Sequence, residues 1–182
     1  MRPAPEVHDA LACLLSYPEE GREGMRYPAA IEVVVHACPE TLADLQSFSQ
    51  GIQDVSAGEL EELYTRTFDN VAERSLEIGW QLFGENYARG VLMVRFRALM
   101  RKYGVPEHTE LPDHLTHVLA LLGRAPVGLA AAFASGQVLT AIKKVTEGLR
   151  SYESPWVGVL EATRKVLQMH LIDEVVASEV GQ

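Results

Sequence analysis

The chain is predicted to be all-α, a single-domain bundle of roughly seven to nine helices, on three observations. Apolar residues recur at helical spacing in almost every segment. Prolines, glycines and capping residues stand where such segments would start and stop. The one strand-like alternation, at Leu76, Ile78, Trp80 and Leu82, has no second segment to pair with. A lone strand cannot satisfy its own backbone.

In chain order, residues 5–16 place Val7, Leu11, Leu14 and Leu15 on one side and stop before Pro18, and a polar turn follows at 18–24. Residues 25–37 carry the β-branched run Ile31, Val33, Val34 and Val35, yet flanking alanines and the missing partner strand favour a helix. Pro39 or Glu40 opens a helix through Leu42, Leu45 and Phe48, closed by Gly51. Ser56 and Glu59 have capping-box spacing, and Leu60, Leu63, Tyr64 and Phe68 form the apolar face behind them. Residues 71–84 are expected to be an extended connector anchored by Trp80 and Phe83.

From Glu85 the period becomes helical, with Leu92, Phe96, Leu99 and Tyr103 in a stripe widened by Met93 and Met100. Gly104 stands where a left-handed cap is wanted. Gly90 sits inside this helix at a cost of about 1 kcal/mol relative to Ala, marking a close approach by another backbone or a ligand. Pro112 and Asp113 suit a first helical turn, ahead of Leu115, Val118, Leu119 and Leu122. Pro126 opens an alanine-rich helix with a break or kink at Ser135-Gly136, resuming to about Arg150. Ser154-Pro155 starts the last helix. The expected division is one helical domain over 1–172 and an acidic, frayed tail over 173–182.

With 182 residues, 47% of them apolar, the chain can bury a sizeable core. Its longest uncharged apolar run, near residues 127–134, is far short of the ~20 a membrane helix needs. The amino-terminus lacks the apolar centre of a secretory signal. Cys13 and Cys38 stand alone, which points to reduced thiols and a cytoplasmic protein. A net charge of −9 argues against nucleic acid as partner and favours a basic one.

No catalytic motif is present. His114 and His117, three apart beside Asp113 and near Glu110, are the one metal-like pattern, and they lack a third strong ligand. Capping and surface roles account for them more simply, so no metal or cofactor is assigned. The alternative is a small helical metal enzyme using Asp113, His114 and His117. Arg89, Arg95, Arg97, Arg101 and Lys102 form a solvated cationic face or, more sharply, an anion site. Trp80, Phe83, Tyr87, Tyr64 and Phe68 are core aromatics or the lining of a groove for an apolar helical peptide.

Three blocks, LEELYTRTFDN (60–70), LEIGWQLFGENYARGVLMVRFRALMRKYG (76–104) and ELPDHLTHVLALLG (110–123), resemble the NarJ-type nitrate-reductase assembly chaperones of the wider TorD/DmsD class. The resemblance covers residues 60–123 and continues weakly through 149–162; residues 71–76 depart from the pattern. It implies a non-catalytic, all-helical cytoplasmic chaperone for anaerobic respiration or nitrate assimilation. Such a chaperone binds the amino-terminal peptide of a molybdoenzyme catalytic (alpha) subunit, with cofactor-insertion proteins as further partners. It holds the unfolded client while the molybdenum cofactor enters and carries no cofactor itself. The client is a nitrate reductase or, alternatively, a selenate, chlorate or dimethyl-sulfoxide type reductase. The implied peptide-binding positions are Tyr64, Phe68, Trp80, Leu82, Phe83, Glu85, Tyr87, Arg89, Gly90, Leu111, Pro112, Asp113 and His114. Glu85 and Asp113 would receive basic residues of the client. A monomer is expected, with a dimer swapped at 104–110 or 123–126 as the alternative.

Overall fold

The computed structural model describes residues 3–18 and 23–180, the side chains of 23–25 and 172–180 excepted. Among these residues the regular structure is helical: α1 (Pro5–Leu14), α2 (Glu23–Ala37), α3 (Leu42–Ile52), α4 (Ala57–Phe68), α5 (Ile78–Phe83), α6 (Tyr87–Lys102), α7 (Leu115–Arg124), α8 (Val127–Phe133), α9 (Leu139–Arg150) and α10 (Trp156–Val180). A π turn at Ala134–Val138 makes α8 and α9 one rod. That turn answers the break expected at Ser135-Gly136, since an extra residue in the ladder bends a helix without ending it.

Local signals explain most of these elements. On α2, Tyr27, Ala30 and Val34 are buried while Val33 is exposed. The 3.6-residue period thus overrides the β-branched run. The capping box of α4 forms in both directions: the Glu59 amide donates to the Ser56 hydroxyl, and Glu59 accepts from the Ser56 amide at 3.0 Å. Gly104 closes α6 at φ +68°, where a side chain would be strained.

Helix α1 packs between α7 and α2, and α10 lies against α3, α8 and α9. Trp156 joins the two groups. Its indole N–H donates to the Leu14 carbonyl at 3.1 Å, and its ring meets Phe48, Tyr64 and Phe68 at centroid distances of 5.8, 5.6 and 5.5 Å. Each such pair contributes about 0.5–1.5 kcal/mol beyond the area it buries. A second tie is His8 Nε2 to His170 Nε2 at 2.8 Å, linking α1 to α10 in the interior. Helix α10 approaches α3 so closely that a Cβ on Gly158 would overlap the Asp44 carbonyl. Only glycine permits that crossing.

Candidate partner-binding surface around Asp113

The 71–84 segment is not the single extended connector expected from its alternation. It makes a 3₁₀ turn at Ala72–Arg74, runs extended through Glu77, and then coils into α5. The Ile78 N–H donates to the Asp113 carbonyl at 2.8 Å, the Leu115 N–H to the Leu76 carbonyl at 2.9 Å, and Glu77 bridges His114 antiparallel. A six-residue helix is too short to show a 3.6-residue period, and its alternation is a coincidence of Leu76 and Ile78 both being buried.

Asp113 is not in a first helical turn either. Helix α7 begins at Leu115 and His114 is its N-cap, accepting the Thr116 amide on Nδ1 at 3.4 Å. Asp113, fully buried, instead pairs with Arg89: Nε to Oδ2 is 2.9 Å. Gly79 lies against this pair; a Cβ there would sit 2.5 Å from Asp113 Oδ2 and 2.9 Å from Arg89 Cγ. Arg89 also covers the Trp80 ring, 5.5 Å from its centroid. Gln81 ties α5 back to the Ala72 and Ser75 carbonyls, and Lys144 of α9 donates to the Gln81 carbonyl at 2.6 Å. The result is a latch: α5, α6 and the start of α7 meet at one desolvated ion pair.

That geometry sorts the sequence-predicted residues. Tyr64 and Phe68 are core, tilted against one another and edge-on to Trp156, with the Tyr64 hydroxyl donating to the Leu15 carbonyl. Arg89, Pro112, Asp113 and His114 build the latch from within. Trp80 and Leu82 are half-buried. Phe83 and Leu111 are exposed, Tyr87 almost wholly at 88%, and Glu85 is exposed between α5 and α6. Phe83 therefore does not anchor the segment to its neighbours as expected. Around Gly90 a Cβ would meet nothing within 4 Å, so none of the described residues makes the close approach there.

The metal alternative at Asp113, His114 and His117 does not assemble. Asp113 is held by Arg89, and His117 uses both ring nitrogens, Nδ1 toward the Leu111 carbonyl and Nε2 accepting the His108 amide. Among the described residues no group of three or more His, Cys, Asp or Glu is placed to hold a metal. Burial, reinforced by His117 and opposed by Asp113, lowers His114 to about 4, so the ring is neutral at pH 7. The cationic face does not gather into an anion site. Arg89 pairs with Asp113, Arg97 with Glu107, Arg95 lies over the Phe133 ring and Lys102 over Tyr103.

Sequence reading missed two features. The carboxylates of Asp69, Glu77 and Glu110 lie near one another without an ion pair among the described residues. Burial, then Glu77 and Asp69, push Glu110 above the usual carboxylate range. Second, Val91 and Val94 are exposed on α6 in line with Tyr87. Their spacing of four and seven from Tyr87 was visible in the sequence as a second stripe opposite the first.

By build, this is an all-helical protein whose exposed apolar edge lies beside a buried ion-pair latch. Residues 35–162, well over half of the 182, match the nitrate reductase delta subunit family, and the chain belongs to it. That family consists of nitrate-reductase assembly chaperones and is not an enzyme family. No individually curated protein matches the chain. Among the described residues no helix is long and apolar enough to cross a membrane.

Proposed function

We propose that this protein acts in the cytoplasm on the amino-terminal segment of a nitrate-reductase catalytic subunit, holding it while the molybdenum cofactor is inserted. The family match carries the reading, and the surface supplies a physical route. Phe83 and Tyr87 offer apolar anchors, while Asp69, Glu77 and Glu110, the last with exposed Leu111 next to it in the chain, gather carboxylates at the other end of α5. Six helical residues separate the two ends by about 9 Å. An amphipathic client segment could therefore seat its apolar face on the aromatic end and a basic residue at the acidic end. Asp113 is committed to Arg89, so its role is to position this edge, with Arg89, Pro112 and His114. Tyr64 and Phe68 support it from the core.

The test is calorimetric titration with a synthetic amino-terminal peptide of a nitrate-reductase catalytic subunit. Phe83→Ala is expected to weaken binding about tenfold, the loss of one anchor, with an unchanged melting temperature. Equal affinity for variant and wild type would place the client elsewhere.

A further inference from the structure

The outer face of α6 carries a pattern that is complementary to itself. Tyr87, Val91, Val94 and Ala98 fall on one exposed stripe, with Val94 68% exposed. Glu85 stands just before its first turn, and Arg101 and Lys102 occupy its last. Glu85 and Arg101 form no ion pair among the described residues, Arg101 standing near the Glu107 carboxylate that Arg97 already pairs. Turn a second α6 antiparallel about an axis between Leu92 and Met93, and the stripe pairs with itself. Tyr87, the largest residue, falls opposite Ala98, the smallest, and Val91 falls opposite Val94. Glu85, two residues ahead of the helix, lies at the end that meets the partner's last turn, where Arg101 and Lys102 stand. Gly90 falls opposite Arg95, and its open space removes one obstacle to close helix approach.

We propose that this face is a homodimer interface: a second copy of the chain docks antiparallel, α6 on α6, around a two-fold axis. Isologous pairing requires each residue's complement to lie in the same patch, and the stripe meets that requirement for both size and charge. A basic foreign helix would fit worse, because the cations at the end of the stripe would repel it. One helix pair buries less than the roughly 800 Å² per partner of a standard interface, so the dimer is weak and concentration-dependent. The stripe is clear of the core, so its substitutions leave the fold intact.

Sedimentation equilibrium of the full chain, without client peptide, across a wide concentration range tests this. Wild type is expected to populate a reversible dimer at high concentration. Val94→Glu is expected to raise its dissociation constant at least about tenfold, the cost of placing a carboxylate in a desolvated centre. Glu85→Lys alone, or Arg101→Glu with Lys102→Glu, should also weaken it, and the triple variant should restore it. A wild-type chain that stays monomeric, or a dimer unmoved by Val94→Glu, overturns the proposal. In a separate calorimetric titration, Val94→Glu abolishing peptide binding in a chain that stays monomeric also overturns it and assigns the stripe to the client. Tyr87 belongs to both this stripe and the proposed client edge, so the two occupants exclude one another there. Sedimentation of the chain alone reads the dimer, titration with peptide reads the client, and either can fail without the other.

Discussion

The inner and outer faces of α6 carry the same kind of side chain in opposite surroundings. Leu92, Phe96 and Met100 are buried, while Tyr87, Val91 and Val94 stand open. Apolar content therefore does not distinguish core from interface on this helix. The difference lies in what each face meets: the inner one finds Phe133 of α8, its ring 5.3 Å from that of Phe96, and the outer one finds no neighbour in the described chain. A contiguous exposed apolar patch of this kind marks an interaction site more often than an accident of surface composition.

Four substitutions test the contrast. Phe96→Ala should cost the most, about 3–5 kcal/mol from lost transfer energy and the cavity left behind. Urea denaturation would show it, and a loss below 1 kcal/mol would mean the inner face is not core. Asp113→Ala comes next, at about 3 kcal/mol, because it strands a largely desolvated Arg89. The figure is at the low end since Arg89 retains a path to water, its side chain being 18% exposed. The same titration reads it.

His114 gives a smaller effect that depends on pH. The unfolded chain takes up a proton near pH 6.5 that the folded ring refuses until about 4. Stability therefore falls as pH drops through this window, by about 2 kcal/mol from this residue at pH 5. His114→Asn keeps a capping acceptor and removes the titration. Between pH 7.5 and 5 it should lose about 2 kcal/mol less than wild type; equal losses would show that the folded ring accepts its proton normally. Smallest is Val94→Ser, expected within about 0.5 kcal/mol of wild type in the same unfolding assay. A larger loss would mean the outer face is already covered within the monomer.

Helical periodicity and punctuation made the fold legible. The stripe through Leu92, Phe96 and Leu99 and the capping box at Ser56 both survive as read. The family-bearing blocks were legible too, and they fall on α4 through α7. What sequence could not show was the latch. Arg89 and Asp113 are 24 positions apart, and nothing local to either announces the other. Gly79 was likewise invisible, because its reason is the carboxylate lying against it. Tyr64 and Phe83 share an aromatic character that says nothing of direction. Packing around Trp156 turns the first inward, and the end of α5 leaves the second in solvent.

The hydrogen bond from Leu115 to Leu76 brings the two ends of residues 76–115 together at one point. These residues are thus a closed excursion whose base is fixed and whose inner side, at Leu92, Phe96 and Met100, stays in the core. Lengthening such a loop costs only slowly growing closure entropy, on the order of 0.6 kcal/mol per doubling. An engineer could accordingly treat the outer residues of this excursion as an exchangeable cassette. The edge at Phe83 and Tyr87 could be rewritten to address a different protein, provided that Gly79, Arg89 and Asp113 stay as the fitting into which it plugs.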